Sequence, residues 1–308
     1  MDMELPRLDV GEFQHRRWVA DLDAACRHWG CFYLLNHGVS ETLLGSLRVA
    51  MAAFFARPQA EKRRIERTAE NAWGYYDREL TKNRRDWKEI FDVGPEAASG
   101  PLAGSTPQWP QHPAAFRSVV EQAYTALELV ALELLSGISE ALGMPADALD
   151  SGFRRDASSF LRLNHYPPCA VPQQHLGISP HTDAGALTVL VHDEQPGLEF
   201  LHRGEWRLVA PVPGALVVNI GDIVQVWSND RYRAPEHRVR AHATQHRYSA
   251  PFFLNPSYDT NYAPLESLLE AASPVYRTIN WGEFRAGRAA GDYADAGEEI
   301  QISQYRCD

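Results

Sequence analysis

Apolar positions change period along the chain, and each change marks an element. Leu5 to Val10 reads as a short strand. From about Gln14 to Trp29, apolar residues recur at helical spacing until Gly30 ends the run. Cys31-Phe32-Tyr33-Leu34-Leu35 is continuously apolar and β-prone, and Asn36-His37-Gly38 turns it into a second amphipathic helix that runs to about Phe55. His37 belongs to that turn and takes a structural place. Residues 95–113 are rich in Pro, Gly, Ala and Ser and form the clearest loop. A long helix is predicted over 114–142, with Leu129, Leu132 and Leu135 among its apolar positions and Gly143 and Pro145 stopping it. From about Ser158 to Tyr258, short strand-like runs alternate with Pro, Gly, Asn and Asp turns, the rhythm of an antiparallel sandwich or jelly roll. The expected fold is mainly β with flanking helices. Its expected regions are 1–110, of helices and strands, and 111–308, with the supporting helix, a β core over about 158–258 and a carboxy-terminal closing segment.

Composition narrows the class. At 308 residues, with 44% hydrophobic and 23% charged, the chain can bury a substantial core, and no segment approaches the apolar run of a membrane helix. Its start lacks a basic stretch followed by an apolar one, so neither membrane nor secretion is expected and a cytoplasmic location is. A net charge of −10 argues against a nucleic-acid partner. The basic run Lys62-Arg63-Arg64, followed by Glu66, reads as a solvated helix face. Cys26, Cys31, Cys169 and Cys307 are scattered without a Cys-x-x-Cys pair, which suits reduced thiols.

The chemistry concentrates in Pro180-His181-Thr182-Asp183 and in His237 of Ala234-Pro235-Glu236-His237-Arg238-Val239. On a strand, His181 and Asp183 leave the same face, and His237 supplies a third donor. Two imidazoles and one carboxylate on one side of an ion leave the opposite positions open, the arrangement non-haem Fe(II) oxygenases use for cosubstrate and dioxygen. His242 and His246 lie near His237 but neither precedes an Arg-Val pair. A second constellation follows from period two: Phe160, Arg162, Asn164 and Tyr166 share one strand face, and Arg247, Ser249, Pro251, Phe253 and Asn255 share another. Arginine with a hydroxyl two residues on can grip one carboxylate through charge-assisted hydrogen bonds, and Tyr166 can add a third donor.

Taken in order, Gly30-Cys31-Phe32-Tyr33, Asn36-His37-Gly38, Trp87-Lys88-Glu89, Asn164-His165-Tyr166-Pro167, the His-x-Asp and distal His, Asn219-Ile220-Gly221-Asp222, Ser228-Asn229 and Arg247-Tyr248-Ser249 resemble the 2-oxoglutarate and Fe(II)-dependent dioxygenases of the isopenicillin N synthase-like family over nearly the whole chain. The resemblance implies a double-stranded β-helix (a cupin-like jelly roll), with His181, Asp183 and His237 binding iron. It also implies that Arg247 and Ser249 hold the distal carboxylate of 2-oxoglutarate and that Asn164 and Tyr166 line that pocket. The implied activity is that of an oxidoreductase: O2 and 2-oxoglutarate are consumed, succinate and CO2 released, and a small organic molecule oxidised, with hydroxylation the expected outcome and ascorbate the accessory reductant. A monomer or weak homo-oligomer is expected. Two alternatives stay open: an isopenicillin N synthase-like or aminocyclopropane-carboxylate oxidase-like enzyme that does not use 2-oxoglutarate, and a non-catalytic metal or small-molecule sensor. Arg162, Phe253 and Asn255 are candidate substrate-pocket residues, Arg162 meeting either a substrate anion or an internal ion pair. Trp73, Tyr75 and Tyr76 are read either as an aromatic pocket wall or as packing between the two regions. The helix expected near Trp281 to Arg285 either closes over the barrel mouth or covers sheet surface.

Overall fold

The computed structural model of the chain describes residues 4–12, 16–68, 70–96, 100, 102–269, 273–291 and 299–307. Gln14 and the acidic run before residue 299 therefore lie outside the described residues. Eight strands form the larger sheet, in the order Arg7–Asp9, Cys31–Leu35, Leu216–Ile220, Leu187–His192, Arg247–Leu254, Phe160–Tyr166, Glu89–Val93 and Gly74–Tyr76. Four form the smaller: Glu205–Leu208, Leu198–His202, His237–Arg240 and Leu176–His181. Pairing is antiparallel except between Arg7–Asp9 and Cys31–Leu35. The jelly roll expected from the strand-and-turn rhythm is present. Strands before residue 100 extend its larger sheet at both edges, so the two regions of the chain share one sheet.

Strand alternation decides which side chains meet. On one face of the larger sheet, Leu161, Leu163, Leu187, Val189, Val191, Leu216, Val218, Ala250 and Phe252 pack with the helices in the main core. On the other face Tyr33, Tyr166, Leu190 and Val217 pack with Leu198, Phe200 and Val239 of the smaller sheet. Each fully buried Leu, Val or Phe contributes about 1.5–3 kcal/mol, so the two-sided burial explains why these strands read as apolar runs with only a few polar positions. Those polar positions build the site.

Helix Phe116–Ala141 presents Phe116, Val120, Ala123, Leu127, Ala131, Leu134 and Ile138 to this core. Leu129 does not join them. It is 63% exposed, because two residues beyond Leu127 is about 200° around a helix with 3.6 residues per turn. Helix Arg16–His28 crosses closely enough that a Cβ at Gly137 would stand 2.4 Å from the Trp18 ring. The expected solvated face at Lys62-Arg63-Arg64 holds only in part: Lys62 is buried, its ammonium 2.6 Å from Glu89 and 2.8 Å from the Phe55 carbonyl. No helix among the described residues is long and apolar enough to cross a membrane.

Candidate active site

His181 ends strand Leu176–His181 and His237 opens strand His237–Arg240, where the two are register partners across an antiparallel pair. Asp183 is not on a strand. It lies in the loop just after His181, so convergence comes from the chain turning at the strand end rather than from period two. His181 Nε2 and His237 Nε2 each stand 3.6 Å from Asp183 Oδ1. One ligand atom from each of the three lies within 4.8 Å of the others, in the only such His/Cys/Asp/Glu group among the described residues.

Neighbouring groups fix each donor. His181 Nδ1 donates to the Ser179 carbonyl at 2.9 Å, and His237 Nδ1 to the Pro235 carbonyl at 3.2 Å. Carbonyls only accept, so each ring carries its proton on Nδ1 and offers the Nε2 lone pair. Burial first, and the neighbouring His237 second, hold His181 well below its ordinary pKa, in the neutral form a metal needs. Burial opposes ionisation of Asp183, but His237, His181 and hydrogen bonds from Asn219 and Thr188 together keep its carboxyl below the usual range. Asn219 Nδ2 donates to Asp183 Oδ2 at 2.8 Å and Thr188 Oγ1 donates to the same oxygen, leaving Oδ1 to the imidazoles. A Cβ at Gly221 would lie 2.2 Å from the Gly185 carbonyl oxygen and 2.8 Å from that of Asp183. Only glycine lets Asn219-Ile220-Gly221-Asp222 press against the Asp183 loop this closely.

The triad opens into a chamber of about 160 Å3 between the sheets, which Asn164, Tyr166, Arg247 and Ser249 also line. Arg247 and Ser249 face Tyr166 and Asn164 across paired strands. Arg247 is 4% exposed, lies over the Tyr166 ring at 5.0 Å and has Nη1 3.5 Å from Ser249 Oγ. No carboxylate pairs with it among the described residues, and both its Nε and Asn164 Oδ1 are buried without a hydrogen-bond partner. A buried guanidinium left this way is costly. A bound carboxylate satisfies it, so this side of the chamber fits a keto dicarboxylate as the triad fits a ferrous ion.

Phe253 and Asn255 also line the chamber, Phe253 stacked on Phe160 at 4.7 Å. Arg162 lines it too, but its guanidinium is engaged: Nε and Nη2 meet both Asp92 oxygens at 2.7 and 2.8 Å, and Nη1 meets Glu79 at 2.9 Å. Tyr75 and Tyr76 do not line it. Tyr75 is buried against Phe54 with its hydroxyl on Glu89, and Tyr76 packs under Arg67 and Arg78, so both belong to the packing reading. Trp73 packs on Phe160 and donates to the Pro95 carbonyl. Sequence reasoning left Thr188 and Arg288 without a place in the site, whereas Lys88 stood in the noted Trp87-Lys88-Glu89 and Trp281 and Arg285 in the helix read either as closing over the barrel mouth or as covering sheet surface. Asn219 stood in a noted motif, the one signal that pointed at it.

Residues 157–256 match the 2OG-Fe(II) oxygenase superfamily, and residues 5–112 match the family described as non-haem dioxygenase in morphine synthesis N-terminal. Gibberellin 2-beta-dioxygenase 5 of Oryza sativa subsp. japonica is 35% identical over 99% of this chain and 88% of its own. Oxoglutarate-dependent flavonoid 7-O-demethylase 1 of Ocimum basilicum is 32% identical over 92% and 77%. Among solved structures, JOX2 in complex with 2OG, Fe and JA superposes with a TM-score of 0.86 at 28% identity, covering 98% of this chain and 88% of that one. A rice dioxygenase for auxin oxidation superposes at 0.79 with 26% identity over 99% and 100%. With a ferrous donor set and a carboxylate seat in one chamber and relatives spanning the whole length, the chain belongs to the 2OG-Fe(II) oxygenase superfamily and is an Fe(II)- and 2-oxoglutarate-dependent dioxygenase.

Proposed function

We propose that His181, Asp183 and His237 hold the ferrous ion and that Arg247 and Ser249, with Asn164 and Tyr166 beside them, seat the distal carboxylate of 2-oxoglutarate. One observation carries this assignment: the buried Arg247, without a carboxylate among the described residues, lines the same chamber as the triad. Asn219 and Thr188 keep Asp183 in one orientation, while the Ser179 and Pro235 carbonyls keep both imidazoles aimed inward. When bound, the iron supplies the oxidation itself, with O2 consumed and 2-oxoglutarate converted to succinate and CO2. The chain positions the substrate carbon and keeps water away. The similar proteins are named as a gibberellin 2-beta-dioxygenase, a flavonoid 7-O-demethylase and a dioxygenase for auxin oxidation, which supports a small organic substrate hydroxylated at carbon. Four free cysteines, three of them buried, suit a reducing cytoplasm, where the enzyme acts as a monomer or weak homo-oligomer with ascorbate as reductant.

The test is an anaerobic Fe(II) titration of metal-free protein with and without 2-oxoglutarate, followed by the visible charge-transfer band of the chelated keto acid. The band is expected only with both present. Arg247→Ala is expected to raise the 2-oxoglutarate concentration needed by about 10–100-fold, the worth of one charge-assisted hydrogen-bonded pair. Tight iron binding without a band in the wild type would overturn the cosubstrate assignment.

A further inference from the structure

Five cationic side chains line the chamber: Lys88, Arg162, Arg247, Arg285 and Arg288. Three already meet acids of the chain. Lys88 lies 2.8 Å from Glu79 and 2.9 Å from Asp86, Arg162 is held by Asp92 and Glu79, and Arg288 lies 3.1 Å from Glu299. Arg247 is given to 2-oxoglutarate by the reading above. Arg285 remains, partly buried in the chamber wall with no hydrogen bond or ion pair to any described residue.

Its direction is set by its neighbours on helix Trp281–Gly291. Trp281 is wholly buried and donates from Nε1 to Ser158 Oγ at 2.8 Å, which pins the start of the helix. Arg288 Nη2 donates to the Thr182 carbonyl at 2.7 Å, between two residues of the triad, which pins the next turn above the metal loop. Arg285 is four residues after the first anchor and three before the second, on the helix face they share. The stacked Phe160 and Phe253 rings line the same chamber and offer it an apolar surface.

We infer that Arg285 binds an anionic group, a carboxylate above all, on the substrate to be oxidised, whose apolar body lies against Phe160 and Phe253. The substrate class is thus a small carboxylic acid with a compact ring or alicyclic body. The inference rests on the proposed site, because it requires Arg247 to be occupied by the cosubstrate.

The test uses the full chain loaded anaerobically with Fe(II) and 2-oxoglutarate, the visible band confirming loading. The probes are 3-phenylpropanoate, 3-cyclohexylpropanoate and 1-naphthylacetate, each beside its primary amide, with dissociation constants from ligand-observed NMR. Wild type is expected to prefer acids over amides by about tenfold or more, the scale of one charged hydrogen-bonded contact. Arg285→Gln should erase the preference and Arg285→Lys keep part of it, while the 2-oxoglutarate requirement stays unchanged in both. A normal band with acids and amides bound alike, no acid bound, or a preference surviving in Arg285→Gln would overturn the inference alone. Absence of the band would remove the underlying assignment and the inference with it.

Discussion

At the scale of single residues, the ligands and their supports differed in how legible they were. His-x-Asp, the distal His and Arg-x-Ser could be read because their spacing is dictated by strand geometry and chain order. Thr188 could not, because it lies five residues from Asp183 in an apolar strand and acts only through the fold. Asn219→Ala removes one of two donors to Asp183 Oδ2, freeing the carboxylate to rotate; it is expected to weaken Fe(II) binding by about 10–100-fold with little loss of stability, measured by anaerobic titration beside thermal unfolding. Two groups away from the metal ligands contribute to the pH behaviour. Burial holds His192 below its ordinary value of 6.5. For Glu89, burial opposes ionisation, but hydrogen bonds from His165, Lys62 and Tyr75 prevail and hold its carboxyl below 4.5. Both pKa values are depressed in the folded state, so both contributions are present above the unfolded values and lost as pH falls through the folded ones. Metal-free protein should therefore begin losing stability just below pH 6.5, more steeply below 4.5. A denaturant midpoint measured across pH checks this, and His192→Gln should make the upper part of the slope shallower without abolishing it, because His181 and His37 are held low by burial as well.

Elements were legible where one period ran long enough. The strand Phe160–Tyr166 and the strand opened by Arg247 carry the chamber's polar residues on one face, and that arithmetic held because a single register slip would send the buried apolar set into the chamber. It failed at Asp183, where the strand stops two residues early, and at Leu129, where an apolar residue lies outside the buried stripe. Sequence periodicity also left open which surface helix Trp281–Gly291 covers, since that depends on where Arg288 finds its partners. The clearest test at this scale is Gly221→Ala. Its Cβ would meet backbone oxygen rather than a flexible side chain, so the end of strand Leu216–Ile220 and the Asp183 loop must part. A loss of about 1–3 kcal/mol is expected, accompanied by weaker Fe(II) binding because Asn219 shifts with Gly221. An unchanged unfolding midpoint would show that the two segments separate freely.

Across the whole molecule, the amino-terminal region is joined to the β-helix by buried charge as well as by apolar packing. Arg67, Lys88, Glu79, Asp86 and Asp92 come from that region, and Arg162, the strand partner of Asp92, comes from the β-helix. Three cations and three acids balance in a cluster that borders the chamber. Removing one leaves the opposite charge buried and uncompensated, which costs about 3–5 kcal/mol, whereas removing a matched pair is far cheaper. Arg162→Met alone should therefore lower the unfolding midpoint strongly, and Arg162→Met combined with Glu79→Gln, which restores neutrality, should recover much of the loss. Denaturant unfolding of the two single variants and the double one forms the cycle that measures this coupling. If Arg162 served chiefly to hold a substrate anion, Arg162→Met would leave stability nearly unchanged and Glu79→Gln would rescue nothing. The Asp92 and Glu79 contacts predict the opposite, placing Arg162 in the joint that holds one chamber wall in register with the metal loop.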